Sequence, residues 1–90
     1  MKLKAMLTVD LKNCTSEQRV TFNKEMEQLK WAKHKSLTTL WTASFLENVT
    51  EPDAFVETKS DLVKATSKAK ITKYDVAVMF SDYFMREYIV

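Results

Sequence analysis

Ninety residues, 46% of them hydrophobic and 11% aromatic, make a single domain over residues 1–90 with a globular composition, and they exclude a disordered chain. The formal charge of +2 is too small to announce nucleic acid by itself. It is unevenly placed, however: residues 1–40 carry eight Lys or Arg against four acids and residues 41–90 six against eight, so the first half is compatible with a phosphate-facing surface, against the commoner reading of a charge run as a solvated face.

The spacing of Leu3, Ala5, Leu7 and Val9 puts them on one face of a strand, with Lys2, Lys4, Met6, Thr8 and Asp10 on the other. This is a central strand that ends on a carboxylate. Thr15-Ser16-Glu17-Gln18 fits a capping box, and Phe22, Met26 and Leu29, flanked by Val20, form the apolar stripe of a helix reaching about Lys30. Residues 31–37, Trp-Ala-Lys-His-Lys-Ser-Leu, read as a basic second strand at a sheet edge, where lysines discourage unwanted pairing. Residues 40–46 read as a third strand with Trp41, Ala43 and Phe45 on one face, joined to the second by a hairpin around Ser36 to Thr39. Thr50-Glu51-Pro52-Asp53 starts a second helix, with Ala54, Phe55, Leu62, Ala65 and Ala69 as its buried stripe and an end near Lys70. Residues 74–80 form the last strand, in which Tyr74, Val76, Val78 and Phe80 point one way, and Ser81-Asp82 caps a final turn or two of helix through Tyr83, Phe84 and Arg86. The chain has no glycine, so turns that need positive φ must use Asn, Asp or Ser.

The order strand, helix, strand, strand, helix, strand is the split β-α-β pattern of α+β ferredoxin-like folds, with two helices on one face of a four-stranded antiparallel sheet. Right-handed crossovers place the first and third strands in the centre. The open sheet face then shows Lys2, Lys4, Met6, Thr8, Thr42 and Ser44. With Met6 and Leu40 among lysines and threonines, that face predicts a homodimer. The single cysteine, Cys14, excludes an internal disulfide, and no Cys or His cluster has zinc spacing. The opening Met-Lys-Leu-Lys-Ala is not the start of a signal peptide, and no stretch approaches the roughly 20 apolar residues of a membrane span. The expectation is a cytoplasmic protein with no membrane partner, in which the sequon Asn48-Val49-Thr50 has no role.

Asp10 stands where a strand gives way to a loop, a place from which a carboxylate can hold Mg²⁺ together with several waters and so serve phosphodiester chemistry. Its structural alternative is a cap for the following loop. His34, between Lys33 and Lys35, has the chemistry of a general base but no identifiable orienting partner, which favours a plain surface role. Lys30, Lys33 and Lys35 with Trp31 have the basic-plus-aromatic make-up of a nucleic-acid surface, against the edge-strand explanation. Cys14 lies beside Lys12 with no partner for nucleophilic catalysis.

Val9-Asp10 at the end of the first strand, Arg19 and Lys24 on the first helix, Lys33 and Lys35 on the second strand and Thr39 to Phe45 as the third together resemble the small ferredoxin-fold ribonuclease group. That group contains the GhoS antitoxin and the small CRISPR adaptation protein. The ending Met79-Phe80-Ser81-Asp82-Tyr83-Phe84-Met85-Arg86 is similar to the GhoS C-terminus. The resemblance implies RNA as partner, an endoribonuclease of a toxin–antitoxin or mobile-element system, Asp10 as the catalytic and metal-holding carboxylate, and Arg19 and Arg86 as phosphate contacts. Unlike the CRISPR proteins, this chain has no glycine between the first helix and second strand. Two other classes fit the same pattern: a non-catalytic homodimeric module that grips a protein partner, and a cofactor-free dimeric barrel enzyme for a small organic substrate. Rossmann and P-loop glycine patterns are missing, which argues against nucleotide-cofactor enzymes.

Overall fold

Alternation in the first strand builds the sheet. In the computed structural model, which describes residues 2–82, β1 (Lys4–Leu11) buries Ala5, Leu7, Val9 and Leu11 and exposes Met6, Thr8 and Asp10. Then follow α1 (Ser16–Gln28), β2 (Ala32–Lys33), β3 (Leu40–Ser44), α2 (Glu51–Ala69) and β4 (Tyr74–Ser81). The sheet order is β2-β3-β1-β4, antiparallel throughout, with β1 and β3 in the centre as expected. The domain is an α+β ferredoxin-like fold. Register sets Leu7 opposite Trp41 on one side and Val78 on the other, while Met6 on the open face lies between Thr42 and Met79.

The helices pack on the Leu7 face. At the start of α1 the Thr15 hydroxyl accepts from the Gln18 amide N–H, and the Gln18 side chain accepts from the Thr15 N–H, so the capping box is formed. Phe22 and Met26 are buried, and the Phe22 ring meets Trp41 edge-on at 6.2 Å. On α2 the Thr50 hydroxyl caps the Asp53 N–H, and Ala54, Leu62, Ala65 and Ala69 are buried. Phe55, expected in that stripe, is exposed: it sits about 100° round the helix from Ala54, off the buried face. Thr58, Asp61 and Thr66 take the buried places instead. The two threonines hide their hydroxyls by donating to the carbonyls four residues back, Ala54 and Leu62. Asp61 accepts a 2.9 Å hydrogen bond from the Trp31 indole N–H. A second tie joins the helices, since the Gln18 side chain donates to the Lys70 carbonyl.

Several expectations are corrected. The second strand shrinks to Ala32–Lys33, because residues 34–39 form a turn in which His34 Nδ1 accepts the N–H groups of Ser36 and Leu37. Trp31 is core rather than surface, 3% exposed. Leu40 lies opposite Thr8 but is buried where that turn closes on its backbone, so it adds nothing apolar to the open face. Val20, placed beside the apolar stripe of α1, is exposed, whereas Tyr74, Val76, Val78 and Phe80 share one face as expected, Val76 opposite Val9 but exposed on the outermost strand. Positive φ falls on Asn13 as expected, but also on Lys30 and Lys70, which end the two helices in left-handed conformation where a cation suits the negative end of the dipole. The final helix expected after Asp82, and Arg86 with it, lies outside the described residues. No helix among the described residues is long and apolar enough to cross a membrane.

Replacing Trp31 by Phe leaves the buried Asp61 carboxylate without its donor and is expected to cost about 1–3 kcal/mol in urea denaturation. Asp61→Asn keeps an acceptor oxygen and should cost less. Equal costs from the two changes would show that the indole bond contributes nothing.

Candidate functional site

Where β1 ends, α1 begins and the β2–β3 turn comes back, a cleft of about 210 Å³ opens. Asp10, Arg19, Asn23, Lys33 and Thr39 line it around the Phe22–Trp41 pair. Each charged group is placed by its own element. Arg19 follows the capping box on the first turn of α1, and its guanidinium donates to the Leu11 carbonyl at 3.4 Å, which holds it against the end of β1. Lys33 pairs in register with Trp41 and so faces the helix side, its Nζ 5.9 Å from the centre of the Trp41 ring, within cation–π range. The turn is clamped to β1 by the Val9 N–H donating to the Thr39 carbonyl at 3.0 Å. Arg19 and Lys33, two cations from separate elements, therefore line one concavity with Asn23, Thr38 and Thr39, residue types that can donate to phosphate oxygens, and with Asp10 at its border.

Of the residues singled out from sequence, Arg19 and Lys33 share this cleft; Asp10 borders it at the end of β1, but strand alternation turns its carboxylate to the open face, with Thr8 and Asp75. Lys35 is exposed on the turn and is not among its lining residues. Trp31 is buried against Asp61, so it offers no stacking surface. His34 spends Nδ1 as acceptor for the turn, which gives it the role of a turn former. Cys14 packs against the core from its loop.

Asp10 has partners that sequence reasoning missed. Its Oδ2 lies 2.6 Å from Lys12 Nζ, and Asp75, directly opposite in the β1–β4 register, lies 3.6 Å from the same ammonium. The signal was a Lys two residues after the Asp, at the same parity, but Asp75 joins them only through cross-strand register. The hydrogen bond to Asp10, followed by the charge of Asp10, raises the Lys12 pKa above its ordinary 10.5; desolvation opposes this, and Asp75 adds a smaller upward push. Among the described residues no group of three or more His, Cys, Asp or Glu is placed to hold a metal ion. Asp10 and Asp75 are the carboxylates that could share a water-rich Mg²⁺, and the Lys12 ammonium already sits on both.

A ferredoxin-like domain with a cation-lined cleft beside the end of its central strand is the class these features define. Comparisons with protein-family models, with curated proteins and with solved structures find no match.

Because the folded pKa of Lys12 is raised, the pair stabilises the fold in full below the ordinary lysine value and loses that contribution as pH rises through the raised one. NMR titration of the Lys12 side chain should give a midpoint above 10.5 in the wild type and a return toward it in Asp10→Asn. Identical midpoints would remove the ion pair.

Proposed function

We propose that this chain is a small cytoplasmic RNA-binding protein that holds the phosphate backbone in the cleft of Arg19 and Lys33, and that it belongs to the ribonuclease type its residues resemble. The observation that carries this reading is the convergence of those two cations from different elements on one concavity beside Asp10. Phosphate recognition needs donors at fixed spacing more than it needs net charge, and Arg19 is held by Leu11 while Lys33 is held over Trp41. Cleavage is the finer part of the proposal. In it Asp10, with Asp75 beside it, would hold Mg²⁺, which when bound polarises a phosphate and supplies a nucleophilic water. Lys12 would have to leave Asp10 for that, so the chain's own residues favour binding over cleavage.

The second reading is a non-catalytic homodimeric module. Met6 and Met79 oppose each other on the open face, 36% and 65% exposed, and give that face an apolar centre for a second copy or another protein.

Binding of a single-stranded oligoribonucleotide should weaken as salt rises, and Arg19→Ala with Lys33→Ala should lower the log–log slope by about 1.4, at roughly 0.7 for each phosphate no longer neutralised. Lys35→Ala, outside the cleft, should change it less. Absence of RNA binding at low ionic strength would move the reading to the interaction module.

Cleavage is tested separately with Asp10→Asn, which keeps the side-chain shape but removes the charge. If Asp10 holds a catalytic Mg²⁺, cleavage falls by orders of magnitude in the variant and in EDTA while RNA binding persists. Cutting that continues in both would end the metal-carboxylate mechanism.

A further inference from the structure

A second cleft lies at the opposite end of the central strands, where the segment before β1 runs beside the end of β3 and both face α2. Its volume is about 320 Å³, at the small end of the range for metabolite pockets. Phe45 supplies an apolar wall, and four charged residues line it: Glu57 and Asp61 from α2, Lys2 from the segment before β1, and Lys30 from the end of α1. The acids are four residues apart and so share one face of α2, while the lysines come from other segments.

Asp61 is the unusual member. It is 8% exposed, and among the described residues it has no ion-pair partner and one hydrogen bond, from the Trp31 indole to Oδ2. Buried carboxylates are ordinarily paired with a cation or fully hydrogen-bonded. No buried side-chain oxygen among the described residues lacks a partner, so the other oxygen of Asp61 reaches the surface, at the cleft it lines. The Trp31 bond fixes the carboxylate there. This is a preformed acceptor for a cationic head group, with Glu57 one turn away on α2 and Lys2 and Lys30 in the same lining.

We infer that this cleft binds a free α-amino acid with an apolar side chain, its ammonium group on Asp61 and Glu57, its carboxylate toward Lys30 and Lys2, and its side chain against Phe45. A zwitterion matches a lining that carries both signs, whereas a simple amine would meet the two lysines and a simple acid the two carboxylates. The inference is independent of the RNA reading and uses none of the residues of the first cleft.

The indole N–H of Trp31 reports on the site, because its hydrogen-bond acceptor is the proposed anchor. Titrating the full chain with L-leucine should move that NMR signal saturably. Isoamylamine and isocaproate, which are leucine without its carboxylate and without its ammonium group, should each bind at least about tenfold more weakly, since each lacks one of the two charged groups. Asp61→Asn retains an acceptor for the indole, so its own Trp31 signal reports that the fold is intact, and leucine affinity should fall by about tenfold or more. Lys30→Ala, a change at an exposed residue, should weaken leucine while isoamylamine binds no more weakly than before. The inference is overturned if leucine does not shift the signal, if all three compounds shift it equally, if isoamylamine binds as tightly as leucine, or if a folded Asp61→Asn binds leucine as the wild type does.

Discussion

The structure depends on β1 being hydrogen-bonded along both edges. All eight of its residues pair with β4 and five of them with β3, so its register fixes both neighbouring strands, and β2 joins through β3. Because side chains alternate, a shift of one residue would turn Leu7 and Val9 to the open face and Lys4 and Asp10 into the core. That penalty is what makes the register unique. It also determines that Asp10 ends its strand opposite Asp75, and that Lys12, two residues on, meets both carboxylates.

Helix packing follows from the same constraint. The face of β1 that carries Leu7 must be covered, and α1 covers it with Phe22 and Met26 while α2 uses mainly small residues, Ala54, Ala65 and Ala69. Small side chains let a helix come close, but they leave little area to bury, and polar ties add to the join. Gln18 reaches the end of α2, and Trp31 reaches Asp61 from the start of the second strand. The Trp31–Asp61 bond has a double consequence. It holds the indole in the core just after α1, and it fixes a carboxylate that lines a cleft.

The charges are distributed by topology. Crossover connections bring α1 and the β2–β3 turn to one end of the central strands, where Arg19 and Lys33 line one cleft, and bring the middle of α2 to the other end, where Asp61 and Glu57 line a second cleft with Lys2 and Lys30. One domain of modest net charge thus carries a cation-lined concavity and a mixed one. The overall charge of +2 conceals both.

Period-two and helical spacing, the capping box at Thr15, and Pro52 in a first turn were enough to read the element order, the central place of β1, most of the core and the helix starts, because these depend on neighbours within a few residues. Asp10 and Lys33 were candidates by residue type and place, and Arg19 only through the resemblance to the ribonuclease group. What the local pattern could not decide was which long side chain turns inward. Trp31 sits in a basic stretch that reads as surface, and Phe55 adjoins Ala54 in a run that reads as core, yet burial follows from the partner each finds across the fold: Asp61 for the tryptophan, and no covering element among the described residues for the phenylalanine. The ion pair of Lys12 with Asp75 and the meeting of Arg19 with Lys33 were equally hidden, since the groups are far apart along the chain and are joined only by strand register and crossover geometry.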